Sequence, residues 1–300
     1  INYPKKKERR IKMKITAKAA GKINLLLDLT GVLDNGYHCI YTVMQSISVF
    51  DKVTIEKTSD GKITLGCDKD FIPTDTKNTA YKSALAFFNI SKIKNPGIKI
   101  FIKKNIPCQA GMGGGSADAA AVLVILNEMF SSPFTTDELC RIGETIGADV
   151  PFCIKGGCAL CLNIGEVMAK LPSAELYAVV VKPEQNVSTK TAYENFDSLK
   201  EVRHPDNNRF LYAAVHSDYH DICRYGANVF EQAVEVYDRA DIKSVMRSNG
   251  AGLSMMTGSG SAVFGIFNDE SKAKNCFELL KTKYKEVHFS KFTEKSIFIE

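Results

Sequence analysis

The sequence predicts an α+β protein with two domains. Its 300 residues are enough for two ordinary domains, and 45% hydrophobic with 24% charged residues is the balance of a globular chain with a large core. Short β-rich segments separated by turn signals fill much of the first half, whereas strands and helices mix in the second half. We therefore expect an N-terminal domain over residues 13–165 and a C-terminal α+β sandwich over residues 166–300.

Residues 1–12 are left out of the predicted fold. They carry much of the basic run KKKERRIKMK, so the net charge of +5 leaves the rest of the chain close to neutral. Because Met13 looks like a natural start, we expect a disordered basic tail or an upstream extension here. The sequence has no run of about 18 apolar residues and no stretch like a signal peptide, which predicts a cytoplasmic protein without a membrane partner. The near-neutral charge outside the tail predicts no nucleic-acid partner.

Turn signals and apolar alternation define the elements of the first domain. The turn signals LDNGYH and TSDG separate β-rich segments, which predicts an antiparallel sheet. Asn78 is placed to cap a helix over Thr79–Asn89, the alternating IKIFIKK is typical of a strand, and a helix is expected over Ser116–Phe130. The other strands are expected at Met13–Ala19, Ile23–Leu29, Val43–Val49, Lys52–Lys57 and Gly61–Leu65.

The chain then passes from the first domain to the second. Thr135 and Glu138 have the spacing of a capping box, so we expect a helix that starts there and ends near Gly147. The segment GADVPF is then expected to lie in the loop that follows. A strand in CALCLNIG closes the first domain, and YAVVVKP is a buried strand of the second. Helices are expected at Thr189–Phe196, Ala227–Tyr237, Ile242–Asn249 and Glu270–Tyr284, and strands at Leu253–Met256, Ala262–Phe267 and Glu286–Phe289.

The nine cysteines predict reduced, buried thiols. Their number is odd, and most lie in apolar or strand-like surroundings. Cys153, Cys158 and Cys161 come closest to the spacing of a metal site. Cys158 and Cys161, however, lie in an alternating strand pattern without a second such pair, so no metal site is predicted.

A glycine-rich loop in CQAGMGGGSADAAAVLVIL is the strongest local signal. Gly111, Gly113, Gly114 and Gly115 allow positive φ and let a ligand approach the backbone. The free N–H groups and the dipole of the helix that follows suit a phosphate, although a tight turn before a core helix is the alternative. The loop matches neither the dinucleotide fingerprint nor the nucleotide P-loop, because Ser116 and its neighbours break both patterns.

Four separated segments together resemble the GHMP kinases, the small-molecule kinase family of galactokinase, homoserine kinase and mevalonate kinase. They are AAGKINLLLDLTGVLDNGYH, the glycine loop, GADVPF and MTGSGSAVF, and the likeness covers nearly the whole chain from Met13. The resemblance implies an N-terminal unit like a ribosomal-protein domain and a C-terminal ferredoxin-like sandwich. It also implies transfer of the γ-phosphate of ATP. GKINL, GYH and GMGGGSADAA resemble members whose acceptor is a diphosphocytidyl sugar alcohol of non-mevalonate isoprenoid synthesis.

The resemblance implies two catalytic residues. Asp149 matches the family's general base, which accepts the proton of a poorly nucleophilic hydroxyl. An N-cap before Pro151 is the alternative interpretation of Asp149. Lys22 matches the family's active-site lysine, which would pair with Asp149 and stabilise the charge on the γ-phosphate; a lysine snorkelling from an edge strand is the alternative.

The phosphates of ATP are expected on the glycine loop. Met112 stands in place of the family's usual Leu, a volume-conserving change, and Ala117 stands where many relatives have a second Ser. Mg²⁺ should arrive on the ATP phosphates, since Asp118 suits the helix dipole as well as a metal. The implied loop residues are Pro107, Ala110, Gly111, Met112, Gly113, Gly114, Gly115 and Ser116.

The resemblance also implies a pocket for cytosine. Tyr37 should stack on the base, His38 should bind its polar edge with Asn24 nearby, and Tyr193 is the candidate for the second ring. A surface hairpin turn at NGYH and a core position for Tyr193 are the alternatives. Gly258 and Gly260 belong to the family's third glycine motif, beside the phosphate loop and the substrate.

Two other functions stay open at this point. One is a related kinase that phosphorylates another alcohol, and the other is a non-enzymatic RNA-binding protein with a basic tail. We expect a monomer or a weak homodimer, with ATP and a diphosphocytidyl sugar alcohol as the small-molecule partners.

Overall fold

Two β-sheets organise the structure, a computed structural model that describes residues 13–34 and 36–300. The predicted tail at residues 1–12 lies outside the described residues. The larger sheet contains β1 (Lys14–Val32), β2 (His38–Lys57), β3 (Ile63–Cys67), β4 (Ile98–Lys103), β5 (Cys158–Asn163), β6 (Val167–Leu171) and β11 (Ile297–Ile299). The smaller sheet contains β7 (Tyr177–Lys182), β8 (Leu253–Met256), β9 (Val263–Phe267) and β10 (Glu286–Lys291).

The helices confirm the α+β class. They are α1 (Thr79–Ser91), α2 (Gly114–Met129), α3 (Thr136–Glu144), α4 (Val150–Lys155), α5 (Thr189–Asp197), α6 (Asn207–Val215), α7 (Tyr219–Tyr225), α8 (Arg239–Ser248) and α9 (Glu270–Lys281). Helices α6 and α7 were not predicted from the sequence. Asn78 caps α1 and the Thr135–Glu138 capping box opens α3, as expected.

Strands β1 and β2 form one long antiparallel hairpin, so the expectation of four separate strands here is wrong. The pairing runs from Lys14 opposite Glu56 to Val32 opposite His38, and it contains three register shifts. Both faces of β1 are buried across its centre, so the sequence there lacks the apolar alternation that marks a strand. The sheet is also not wholly antiparallel, because β3 pairs with β4 in parallel.

Helix α2 is the central helix of the first domain. Its alanines are fully buried, which lets the helix approach its neighbours closely and carries its first turn to the edge of the sheet. Helix α3 ends at Glu144, before the expected Gly147. The segment GADVPF is not a loop, since α4 starts at Val150; the proline at the start of α4 suits the first turn of a new helix.

The smaller sheet confirms the ferredoxin-like sandwich. Its strand order is β10-β7-β9-β8 with antiparallel neighbours, and α8 and α9 pack on it through apolar residues. The helix predicted over Ala227–Tyr237 is wrong, because only a 3₁₀ turn at Val229–Gln232 forms. The reason is tertiary: the Asn228 side chain donates to the carbonyls of Met256 and Gly258, both at 2.8 Å, and fixes a non-helical backbone.

The chain returns to the larger sheet after the expected domain boundary. Strand β6 pairs with β5, and the C-terminal strand β11 pairs with β1. The boundary at residue 165 stays a prediction. Among the described helices, none has the length and apolarity needed to cross a membrane.

Candidate active site

A cavity of about 1020 Å³ brings the predicted site residues together. It runs from the glycine loop past the centre of the β1–β2 hairpin to the hairpin end. Every residue expected to bind ATP or substrate, or to act in catalysis, lines it except Gly260. Gly260 instead lies against Met256, where an added Cβ would be 2.6 Å from the sulfur. The expected direct role of Gly260 in substrate binding therefore finds no support in this arrangement.

The glycine loop presents uncapped N–H groups to the cavity. Gly113 is the N-cap residue of α2 and has no side chain to bind the free N–H groups of the first turn. Helix α1 begins beside the first turn of α2, since the Thr79 hydroxyl donates to the carbonyl of Gly115 at 2.7 Å. Asn78 and Thr79 line the cavity, although the sequence analysis gave them only a helix-capping role. Two helix N-termini therefore converge on one point, which favours an anion.

Glycine is required where the two glycine motifs meet. Gly111 has φ +72°, and a Cβ there would lie 2.1 Å from the carbonyl oxygen of Thr257. Gly258 faces it with φ +57°, and its added Cβ would lie 2.9 Å from the Cα of Gly111. Backbone packs directly on backbone here, so the C-terminal motif supports the phosphate loop from the far side.

Lys22 and Asp149 form an ion pair inside the cavity. The Lys22 ammonium lies 3.5 Å from Asp149 Oδ2 and donates to Asn24 Oδ1 at 2.8 Å. Asn24 is itself held, because its amide donates to the Thr42 hydroxyl at 2.9 Å and its carbonyl oxygen accepts from the Thr257 hydroxyl at 3.1 Å. Lys22 is 5% exposed, which is unlike a lysine that snorkels from an edge strand.

The Asp149 carboxylate is free to face a substrate. Asp149 occupies the N-cap position of α4, but its side chain makes no capping hydrogen bond. One third of the side chain is exposed. Gly113 makes room for the pair, since a Cβ there would lie 3.1 Å from Lys22 Cγ and 3.8 Å from Asp149 Oδ2. The alternative interpretation of Asp149 as a simple N-cap is therefore not supported.

A buried cluster under the glycine loop was missed by the sequence analysis. The Lys104 ammonium bridges Asp51 of β2 and Asp118 of α2, at 2.7 Å from Asp118 Oδ2. Asp51 Oδ1 also accepts the backbone N–H groups of Asn105 and Ile106 at 2.6 and 2.8 Å. Asp118 therefore neither lies in the first turn as a dipole partner nor faces solvent. An aspartate inside an alanine run was the available signal for a buried ion pair.

The protonation of this cluster follows from its burial. Burial lowers the pKa of Lys104, but the two carboxylates outweigh that effect and raise it overall. Burial raises the pKa of Asp118 to about 8. The charge of Lys104 opposes this effect, and the like charge of Asp51 reinforces it. The other carboxylate oxygen of Asp118, Oδ1, is buried without a hydrogen-bond partner. Lys104 keeps its charge beside Asp51, and Asp118 holds a proton more tightly than an exposed aspartate.

We expect Asp118→Asn to change how stability depends on pH. A carboxyl whose pKa rises from 3.8 to about 8 on folding contributes stability that is fully present below pH 3.8 and is lost as the pH rises through about 8. In the wild type this group should lower the free energy of unfolding by up to about 1.4 kcal/mol per pH unit between pH 3.8 and about 8, and should have no further effect above that. Asn mimics the neutral carboxyl and should remove that loss. Urea unfolding from pH 6 to 9.5 measures it.

The exposed Asp137, which pairs with Lys155 at 3.1 Å on the surface, offers a matched control. Asp137→Asn should follow the wild-type curve. An Asp118→Asn variant that loses stability between pH 6 and 8 as steeply as the wild type would contradict the raised pKa.

Aromatic rings line the far end of the cavity. The His38 and Tyr193 rings lie 4.8 Å apart, and Tyr193 meets Phe230 edge to face at 5.0 Å. Burial, with a smaller effect of Asp149, raises the pKa of the Tyr193 phenol to about 12, so the ring stays neutral. Tyr37 is 63% exposed at the hairpin end. Tyr193 thus packs against Phe230 and also lines the cavity, whereas the Asn24 side chain is hydrogen-bonded to Lys22 and Thr42.

Five of the cysteines are buried and four are partly exposed, so the prediction of buried thiols holds for the majority. All nine lie in the part of the chain that the structure describes, and each is a free thiol. Burial raises the pKa of Cys158 and Cys161 to about 12, which disfavours the thiolates that zinc requires. Within residues 13–34 and 36–300 no cluster of three His, Cys, Asp or Glu side chains is arranged to hold a metal ion.

Comparison with known proteins agrees with this site. The family model of the GHMP kinases N terminal domain matches residues 78–157, and that of the GHMP kinases C terminal domain matches residues 231–286. A protein of Clostridium perfringens named 4-diphosphocytidyl-2-C-methyl-D-erythritol kinase is 43% identical over 271 residues, which cover 89% of this chain and 94% of that protein. The chain belongs to the GHMP kinases. This kinase is an ATP-dependent enzyme, which decides against the non-enzymatic RNA-binding alternative.

Solved structures show the fold of this kinase, but kinases for different substrates resemble it almost equally well. A crystal structure of 4-(cytidine 5'-diphospho)-2C-methyl-D-erythritol kinase has a TM-score of 0.78 and 26% identity, covering 92% of this chain and 98% of that one. A homoserine kinase of Cytophaga hutchinsonii has a TM-score of 0.79 at 19% identity, covering 97% and 99%. The fold alone therefore does not distinguish between these acceptors.

Proposed function

We propose that this kinase transfers the γ-phosphoryl group of ATP to the 2-hydroxyl of 4-diphosphocytidyl-2-C-methyl-D-erythritol, giving the 2-phosphate and ADP in non-mevalonate isoprenoid synthesis. One observation carries the proposal: the Lys22–Asp149 pair lies between an anion-binding glycine loop and an aromatic pocket in a single cavity. The name of the 43% identical relative supports the same acceptor.

The chemistry follows from the ion pair. A tertiary hydroxyl is a poor nucleophile, so Asp149 accepts its proton as the hydroxyl oxygen attacks the γ-phosphorus. Lys22, held by Asn24 at 2.8 Å, keeps the carboxylate oriented and stabilises the charge that spreads over the transferring group. The first-turn amides of α2 bind the remaining phosphates.

Magnesium is proposed to enter on the ATP phosphates. Mg²⁺ commonly keeps several waters and takes only one or two protein oxygens beside the phosphates, so a site without a preformed cage fits this ion. The ion neutralises phosphate charge when bound. The Ser116 hydroxyl is the loop side chain available to it, since Asp149 is paired with Lys22 and Asp118 with Lys104.

The aromatic end is proposed to hold the cytosine. Tyr37 and Tyr193 would cover its two faces, and His38 would bind its polar edge. The exposed ring of Tyr37, the His38 ring and the partly packed ring of Tyr193 line one cavity. Homoserine and mevalonate carry no base, so an aromatic end of the cavity supports the diphosphocytidyl acceptor over either of them.

An ADP-release assay tests the acceptor directly. We expect turnover with the diphosphocytidyl substrate and little with mevalonate or homoserine. A preference for either of the latter would overturn the proposed acceptor while leaving the kinase activity itself intact.

Truncation of either stacking ring should weaken substrate binding. Tyr37→Ala and Tyr193→Ala should each raise the KM for the diphosphocytidyl substrate by about 5- to 100-fold, because stacking on a base is worth about 1–3 kcal/mol. The KM for ATP should stay nearly unchanged, and Tyr37→Phe should be mild because the ring remains. Steady-state kinetics with each substrate varied in turn measures the effect.

Tyr212 gives the matched control, since it is 67% exposed on α6 and lies outside the cavity. Tyr212→Ala should leave both KM values unchanged. An unchanged substrate KM in Tyr37→Ala would show that the cytosine pocket is wrongly assigned, whereas the same result in Tyr193→Ala alone would remove only the second ring.

A further inference from the structure

One nitrogen of the His38 imidazole is already bound to the protein. His38 Nε2 lies 2.7 Å from Oδ1 of Asp197, the last residue of α5. The His38 side chain is 13% exposed and that of Asp197 is 55% exposed, so the contact closes the outer side of the ring. An ionised carboxylate only accepts hydrogen bonds, so Nε2 must carry the proton.

The second nitrogen of the His38 ring, Nδ1, is then a hydrogen-bond acceptor. In a neutral imidazole with its proton on Nε2, Nδ1 carries a lone pair and accepts a hydrogen bond. The Tyr193 ring, 4.8 Å from the His38 ring, limits how that ring can turn. Asp197 and Tyr193 both belong to α5. One helix therefore fixes both the orientation of the His38 ring and the nitrogen that carries its proton.

We propose that Asp197 is a positioning residue that makes His38 a hydrogen-bond acceptor and so selects a base with an exocyclic amino group. This inference rests on the proposed function, in which the aromatic end of the cavity holds the pyrimidine. Cytosine offers the N4 amino group as a donor, whereas uracil offers the O4 oxygen at the same position. A lone pair on His38 Nδ1 binds the first and repels the second, so the tautomer becomes a specificity element.

The two substitutions at Asp197 have different expected effects. Asp197→Ala leaves His38 free to carry its proton on either nitrogen, so the site accepts both bases. Asp197→Asn places an amide at Nε2, whose oxygen can still accept from Nε2–H and whose N–H can donate to an unprotonated Nε2. The variant then holds both tautomers, and only part of the molecules carry the proton on Nδ1, as a donor to the O4 oxygen of uracil.

The test compares turnover of the cytidine and uridine forms of the substrate at about pH 8, where an ordinary imidazole is neutral. For Asp197→Ala we expect the ratio of kcat/KM values, cytidine form over uridine form, to fall by about tenfold or more. For Asp197→Asn the fall should be smaller, because the amide oxygen can still accept from Nε2–H. The kcat for the cytidine form should change less than its KM, since Asp197 does not touch the reacting atoms.

Glu201 is the matched control, an exposed carboxylate four residues beyond Asp197 and outside the cavity lining. Glu201→Ala should retain the wild-type ratio. ¹⁵N NMR of the imidazoles supplies a second readout: in the wild type the His38 resonances, assigned with His38→Gln, should show a protonated Nε2 and an unprotonated Nδ1. Asp197→Ala should shift them toward a mixture of tautomers.

Two results would overturn the inference. One is a wild-type His38 with its proton on Nδ1, and the other is an unchanged substrate ratio in both folded Asp197 variants. Equal loss of activity on the two bases would also do so, because it would leave Asp197 a structural role only. A wild-type protein that turns over neither form while it phosphorylates another alcohol would instead refute the proposed function, and the tautomer argument about cytosine with it.

Discussion

Asp149→Asn should lower kcat by about 100-fold or more while the affinity for ATP is retained. An amide has nearly the shape of the carboxylate but cannot accept the hydroxyl proton, and general-base catalysis contributes about 10²–10⁴-fold. Lys22 should stay in place, because Asn24 Oδ1 still accepts from it at 2.8 Å. Removal of a negative charge beside the γ-phosphate also gives no reason for weaker nucleotide binding.

Single-turnover kinetics and calorimetric titration of ATP separate these effects. Asp137→Asn, the surface carboxylate control, should match the wild type in both. A kcat for Asp149→Asn within about threefold of the wild type would rule out the general-base role.

Lys22→Met should lower kcat by about 10²–10³-fold, the range seen when one preorganised donor to a transition state is removed. Met fills much of the buried space. The Asn24 carbonyl oxygen keeps a partner in the Thr257 hydroxyl at 3.1 Å, so the fold should survive. ATP affinity should fall less than kcat, because the loop amides bind the phosphates that do not react. Steady-state and binding measurements on the same preparation test this split.

Lys18→Met gives the matched control on the same strand, since Lys18 pairs with Glu300 at 2.9 Å on the surface. It should leave kcat unchanged. A change confined to the KM in Lys22→Met would make Lys22 a binding residue only. The double variant of Lys22 and Asp149 should lose far less than the product of the two single losses, because the pair acts as one unit.

The motifs that carry chemistry were predictable from the sequence. Gly111 and Gly113 have positive φ, and the apolar helix after them supplies the free N–H groups of an anion site, all of which are local properties. Capping by Asn78 and the Thr135–Glu138 box were predictable for the same reason, since each depends on residues a few positions apart. The ferredoxin-like sandwich of the C-terminal domain came from the family resemblance, and the strand order of the smaller sheet confirms it.

The errors lie where distant segments decide the backbone. The 3₁₀ turn at Val229–Gln232 replaces a helix because Asn228 binds carbonyls about thirty residues away. The long strand β1 was divided in two because burial of both its faces hides the alternation. The local sequence pattern carries no information about the distant carbonyls that Asn228 binds or about the residues that cover the two faces of β1.

The sequence by itself determined the family, the glycine loop, and the residue types that can bind phosphate, accept a proton and stack on a base. Only the tertiary structure decided that Lys22 meets Asp149 and that Lys104 lies between Asp51 and Asp118. It also decided that Asp197 binds His38 across 159 positions of sequence. These contacts depend on distances between segments that are far apart in the chain. Their protonation depends on burial and neighbouring charge, which exist only once those segments are packed together.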